Sequence, residues 1–306
     1  TGERHMGRCR LALMAALLGL PGAPPWATTT NDVVPLLDVP GVIGQDNREI
    51  NEADRYPWSA VGRLNVTLGG HCTATVIDSH RLLTAAHCLW NKRTGRWLPP
   101  CGLHFLLGYT RGEYRMHARV VRFHIPSGFV PGANENGAAL SGDWAVLDLD
   151  RDVSDATSAM VLSTRVPRPG VDLMQAGYSR DHRHVLTSNT HCTVSAVGAE
   201  QRIFAHNCDA TFGDSGSPLI VEMDGRHYQL GLHSAVRARG RETVGVAVAV
   251  YPAAQWLSAN PYRPPEGPVE SCAVDGGGSQ RVSIGSLRGY ERSSSSLART
   301  FMSTVP

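Results

Sequence analysis

"ATFGDSGSPL", residues 210–219, decides the reading of this chain. An acid, a hydroxyl and two glycines stand almost side by side, followed by Pro218 and an apolar run. Glycine loses more backbone freedom on folding than any other residue, so such density suits neither a strand nor a helix. A tight polar turn ahead of a strand accounts for the composition, and a lone G-x-S requires nothing more. The other account is that Ser215 does chemistry. A serine hydroxyl is a weak nucleophile at neutral pH; it needs a base to take its proton, an acid to orient that base, and donors for the oxyanion that forms.

The rest of the chain supplies partners. "TAAHC" (84–88) offers His87, and "SGDWAVLDL" (141–149) offers Asp143 at the mouth of an apolar strand. Taken singly, a histidine beside a cysteine reads as structural, and an aspartate after glycine as a turn or cap residue. Taken with Ser215 between Gly213 and Gly216, they give base, orienter and nucleophile in the chain order His, Asp, Ser. Other hydrolase patterns fit less well. A nucleophile elbow needs glycine at 217, where this chain has Ser217, and it places its histidine after the serine. A GDS-type esterase also expects a later histidine and has no role for "TAAHC".

Composition frames these residues. The chain has 306 residues, 42% hydrophobic and 18% charged, with 32 glycines and 19 prolines, which is globular and rich in turns. Net charge is +2 with basic residues scattered, so nothing points to nucleic acid or an anionic membrane surface. Short valine- and threonine-bearing runs alternate with Gly/Pro/Asn/Asp clusters, which predicts an all-β fold. Strand-like runs fall into two halves, about 42–155 and 168–250. "VSDATSAMVLSTRVPRPG" (153–170) reads as the linker between them, and "AAQWLSA" as a short C-terminal helix.

The first residues read as export machinery. Met6 is taken as the start, with residues 1–5 not native; Arg8 and Arg10 then precede "LALMAALLGL" and small residues at Ala23 and Ala27. That is a secretory signal over 1–27, and its apolar run is far below the ~20 residues of a spanning helix. Residues 28–41 read as a leader. Residues 261–306, with "PPEG", "GGG" and "SSSS", read as a low-complexity tail. Export leaves Cys72, Cys88, Cys101, Cys192, Cys208 and Cys272 in an oxidising compartment, where disulfides are expected. Six cysteines allow 15 connectivities, and their order alone does not choose among them. A zinc site is not expected, because no C-x-x-C pair occurs. "DHRH" (181–184) reads as a solvated loop rather than a metal site, and no cofactor is expected.

"TAAHC", "GDWAVL" and "GDSGSPL" resemble the three signature segments of trypsin-like (chymotrypsin-fold) serine endopeptidases, over roughly residues 42–260. "VIGQDNR", "YPWSAVGRL", "CTATVI" and "GLHSA" resemble in particular the bacterial branch near the V8-like, glutamyl endopeptidase group. The resemblance implies two packed antiparallel β-barrels. It also implies a His87–Asp143–Ser215 triad acting through an acyl-enzyme, with an oxyanion hole from the N–H groups of Gly213 and Ser215. Ser234, 19 residues after Ser215, stands where relatives carry a serine bonded to the triad aspartate. A disulfide Cys72–Cys88 would hold the histidine loop and Cys192–Cys208 would be a second; the pairing of Cys101 and Cys272 stays open.

On specificity the resemblance points two ways. Asp209, six residues before Ser215, stands where trypsin-like members carry the acid that receives Arg or Lys. His233 stands where glutamate-specific relatives receive a carboxylate. Relatives made as zymogens are cut before a small β-branched residue, and the new amino group buries against the acid preceding the nucleophile; Val42 and Asp214 would take these parts. Protein or peptide substrates, a protein inhibitor and a monomeric state are the expected associations. The rival reading is a non-catalytic secreted relative acting as a binding module, although such proteins commonly lack one of the three residues present here.

Overall fold

A computed structural model describes residues 41–265, apart from 68, 133–136, 199 and 240–241. The expected signal, nearly all of the leader, Cys272 and the tail beyond 265 lie outside the described residues.

Two antiparallel barrels form, as the alternating pattern predicts. The chain enters through Glu49–Ile50 (β1) and builds the first barrel from Val61–Val66 (β2), His71–Asp78 (β3) and Arg81–Thr84 (β4). A small hairpin, Trp90–Asn91 (β5) with Arg96–Trp97 (β6), interrupts it. Leu103–Leu107 (β7), Met116–His124 (β8), a helical turn Gly137–Leu140 (α1) and Ala145–Leu149 (β9) follow. The ring closes in the order β2-β3-β4-β9-β8-β7.

The second barrel takes Asp172–Gly177 (β11), Thr187–Val197 (β12), Ile203–His206 (β13), Pro218–Met223 (β14), Arg226–Arg239 (β15) and Glu242–Ala249 (β16). It is closed by the pairing of β12 with β13. Helix Tyr251–Ala259 (α2) ends the barrel sequence.

Two boundaries differ from expectation. The linker is not wholly irregular: Val161–Leu162 (β10) runs parallel to Tyr228–Gln229 of β15. And β1, placed by sequence with the first half, pairs with Ser188 and Thr187 of β12 in the second barrel. Main-chain hydrogen bonding at an open strand position overrides sequence proximity in both cases.

Successive side chains of a strand point to opposite faces, so a strand buried on both sides reads as an unbroken apolar run. Leu82 and Leu147 fill the first barrel with Phe105, Phe123 and Leu149. Their neighbours Leu83 and Val146 face the other way, into a separate cluster with Trp144, Leu232, Val248 and Ala253. That cluster is the seam between the barrels. Leu230 and Ala247 in turn face the second barrel's interior with Phe204 and Leu219. At roughly 1.5–3 kcal/mol per buried large aliphatic side chain, the seam is strong enough to hold the site built across it.

Candidate functional site

Strand register brings His87 and Asp143 together. Thr84 ends β4 and lies opposite Ala145 at the start of β9. The chain leaves β4 through a short helical turn, Ala86–Leu89, that carries His87, while Asp143 sits just before β9. Asp143 is buried; one carboxylate oxygen accepts the main-chain N–H of His87 at 2.8 Å, and the other meets its Nδ1 at 2.7 Å. The Ser234 hydroxyl donates to that second oxygen. Burial works to raise the Asp143 carboxyl, but the charge of His87 and the hydrogen bonds of His87 and Ser234 outweigh it and hold the group below the usual range. With Nδ1 facing a carboxylate, the imidazole carries its proton there and presents Nε2 as the acceptor. The Cys72–Cys88 disulfide pins this turn to β3, and closing a loop of that length contributes roughly 3 kcal/mol.

Ser215 arrives from the second barrel. Pro218 of β14 lies opposite Leu232 of β15, which sets residues 215–217 beside 233–234. Gly216 N–H donates to the His233 carbonyl and His233 N–H to the Ser217 carbonyl, both at 2.8 Å. From the first barrel, Thr73 N–H donates to the Ser215 carbonyl at 2.9 Å and the Thr73 hydroxyl to the Gly213 carbonyl at 3.0 Å.

The glycines are required here. Gly213 and Gly216 have φ of +98° and +85°, the left-handed region. A Cβ on Gly213 would lie 2.4 Å from the Tyr178 carbonyl oxygen, and one on Gly216 2.3 Å from that of Thr73. Among the described residues, the N–H groups of Gly213 and Ser215 have no acceptor. Two donors left this way, on residues that line one cleft, suit a developing oxyanion.

Ser215, His87 and Gly213 line one cleft of about 710 Å³. The Ser215 hydroxyl makes no hydrogen bond to the imidazole. Such bonds commonly tighten only around a bound substrate.

The two residues expected to set specificity part company. Asp209 is buried, and its carboxylate accepts Ile43 N–H at 2.7 Å, Asn47 N–H at 2.9 Å and the Asn189 amide at 3.1 Å. It is turned toward the incoming chain and does not line the cleft. His233 does line it. Cys208 N–H donates to Nδ1 of the fully buried His206 at 3.2 Å, so the His206 proton is on Nε2, which donates to His233 Nδ1 at 3.0 Å. His233 therefore carries its own proton on Nε2, for which no hydrogen bond is described. Burial pushes His206 down to about 3 and His233 well below the ordinary histidine value, so both rings are neutral. Among the described residues, the cleft's other ionisable lining groups are His71, Lys92, Arg93 and Arg237, with no carboxylate among them.

Among the described residues, Asp214 makes no hydrogen bond with Val42. The Asp214 carboxylate accepts from the Ser179 hydroxyl at 2.6 Å and Thr211 N–H at 2.8 Å, and burial pushes it up to about 6. Cys192 and Cys208 are disulfide-bonded to each other, and Cys101 is disulfide-bonded as well. Near the expected solvated loop, Asp46, Asp181 and His182 cluster, but the Arg48 guanidinium already lies against both carboxylates. Sequence reasoning missed His206, Asn189, Thr73 and Arg48. His206 and Asn189 stand in no motif, while Thr73 and Arg48 stand in the runs "CTATVI" and "VIGQDNR", where nothing local marks the role of either side chain.

A model of the Trypsin family matches residues 42–257. Serine protease 23 of Bos taurus is 28% identical over 190 residues, covering 57% of this chain and 48% of that protein. Glutamyl endopeptidase of Bacillus licheniformis is 24% identical over 190 residues, covering 61% of this chain and 57% of that one. The chain thus spans about half the length of these curated relatives. Among solved structures, a Glu endopeptidase in complex with MPD superposes with a TM-score of 0.60 at 19% identity, over 71% of this chain and 98% of that one, a likeness of fold. No helix among the described residues is long and apolar enough to cross a membrane.

Proposed function

The chain belongs to the Trypsin family, and from that premise we propose that it is an exported serine endopeptidase that cuts after acidic residues. His87 Nε2 takes the proton of Ser215 as Oγ attacks the scissile carbonyl. Asp143 keeps the ring in the productive tautomer and stabilises the imidazolium. The oxyanion is received by the N–H groups of Gly213 and Ser215, and the imidazolium then protonates the leaving amine. Water, deprotonated by the same ring, releases the acyl group. The observation that carries this reading is the convergence in one cleft of an aspartate-anchored imidazole, a serine and two amides without acceptors.

Substrate choice follows from charge. A basic side chain would find no carboxylate among the described residues that line the cleft, because Asp209 is held by main-chain N–H groups and Asn189. An acidic one would meet the Nε2–H of a neutral His233, backed by His206, in a cleft that Lys92 and Arg93 also line. Incubating the purified protein with a denatured protein substrate and mapping the cuts by mass spectrometry tests both parts. Cleavage after Glu and Asp, absent with Ser215→Ala, is expected; predominant cleavage after Arg and Lys overturns the substrate reading, and a chain that binds polypeptide without ever cutting it overturns the enzyme.

A further inference from the structure

The segment 41–48 contributes nothing to the cleft, yet the loop that carries Gly213 leans on it twice. At one end, Ala210 N–H donates to the Gly41 carbonyl at 3.0 Å, and Asp209 receives the N–H groups of Ile43 and Asn47. At the other end stands Arg48, whose side chain is 2% exposed. Its guanidinium reaches Asp46 through Nε at 2.9 Å and Nη2 at 2.8 Å, and Asp181 through Nη1 at 3.0 Å and Nη2 at 2.5 Å. Asp181 in turn accepts the Thr211 hydroxyl at 3.2 Å, and the adjacent Arg180 N–H donates to the Phe212 carbonyl at 2.6 Å. Thr211 and Phe212 are the two residues that lead into Gly213. A planar guanidinium forked onto two carboxylates fixes direction as well as distance, which an ammonium on a flexible stem does not.

The loop needs such fixing. Its left-handed Gly213 points an N–H at no protein acceptor, and a loop free to relax can turn that amide elsewhere. In relatives activated by cleavage, a new amino group performs this service on the acid before the nucleophile. Among the described residues no cation touches Asp214, whose carboxylate is taken by Ser179 and Thr211, while the Gly41 carbonyl and the Ile43 amide are both engaged by residues 209–210.

We propose that Arg48 and Asp209 are positioning residues: through them the segment 41–48 sets the Gly213 amide for the oxyanion, by a side-chain guanidinium and main-chain N–H groups instead of a free amino terminus on Asp214. This rests on the endopeptidase reading above. Arg48 acts through Asp181 and Thr211 and touches no substrate. Its loss should therefore lower kcat and leave KM nearly unchanged, by a factor approaching the ~10²–10³ seen when one oxyanion donor is removed.

The test uses the secreted protein and its Arg48→Ala, Arg48→Lys and Thr211→Val variants, with kcat and KM measured separately on one peptide amide and folding followed by thermal melting. Expected is a large fall in kcat for Arg48→Ala at little-changed KM, partial recovery when guanidinium at millimolar concentration is added, and little rescue by Arg48→Lys. Thr211→Val, which keeps the guanidinium and both carboxylates, should fall about tenfold; it decides the matter if Arg48→Ala does not fold. A folded Arg48→Ala with kcat within twofold of wild type overturns the proposal while leaving the endopeptidase intact. So does an N-terminal analysis showing that chains retaining Gly41 are inactive and gain activity only when they begin at Val42. A wild-type protein that cleaves nothing fails the enzyme reading itself and with it this one.

Discussion

His87 and Asp143 are joined twice: by the imidazole Nδ1 at 2.7 Å from one carboxylate oxygen and by the main-chain N–H at 2.8 Å from the other. The second bond fixes the turn and the first fixes the ring, so the carboxylate decides both where the imidazole is and which nitrogen is free.

Asp143→Asn should therefore keep the fold and lose the chemistry. An amide Nδ2 facing His87 Nδ1 favours the wrong tautomer, and a drop of about 10⁴-fold in kcat is expected. Peptide hydrolysis at neutral pH measures it; a loss below tenfold would mean that the orienting carboxylate is not needed. The same depressed carboxyl adds stability that is present above its unfolded value and lost as pH falls through its folded one, so acid melting should be shallower in the variant.

Gly213→Ala tests the oxyanion loop. At φ +98° with the Tyr178 carbonyl 2.4 Å from the added carbon, the peptide must turn and its N–H must leave the cleft. We expect kcat to fall ~10²–10³-fold, with KM little altered and the Cys72–Cys88 and Cys192–Cys208 disulfides still formed. Unchanged turnover in this variant would place the oxyanion donors elsewhere.

His206→Phe tests substrate recognition. It fills the buried site but removes the donor that sets the His233 tautomer. Losing a hydrogen bond to a charged group corresponds to about 10- to 100-fold, so kcat/KM for glutamate before the scissile bond should drop by that factor while a leucine substrate is spared. Equal losses on both substrates would show that His206 only supports the fold.

The Asp214 carboxyl, pushed up to about 6 by burial, holds a proton that the unfolded chain releases near 3.8. Its contribution is complete below the unfolded value and lost as pH rises through the folded one. Against Asp214→Asn, wild-type Tm should fall between about pH 4 and about pH 7. An ammonium bound to Asp214 would reverse that slope, so the experiment also reports on how the loop is held.

The local parts of this molecule were legible. Pleat alternation gave the two β-rich halves, and the runs around His87, Asp143 and Ser215 each specify a turn whose geometry neighbouring residues dictate. What was not legible depends on pairings far apart in sequence. Asp209 looked like a substrate partner because its offset from Ser215 is local, but its fate is set by Ile43, 166 residues away. His233 was expected by position to receive a carboxylate, but its tautomer is set only by His206, which β13 brings beside it. Arg48 closes the run "VIGQDNR", and its partner Asp181 lies 133 residues away, beyond any local pattern.

Reaction of the purified protein with a fluorophosphonate, followed by mass spectrometry of the labelled peptide, probes the central convergence most directly. One phosphonyl adduct is expected, on Ser215, formed quickly in wild type, slowed by orders of magnitude in His87→Ala and absent in Ser215→Ala. A folded wild-type protein that takes up no label, or label that persists in Ser215→Ala, would contradict it.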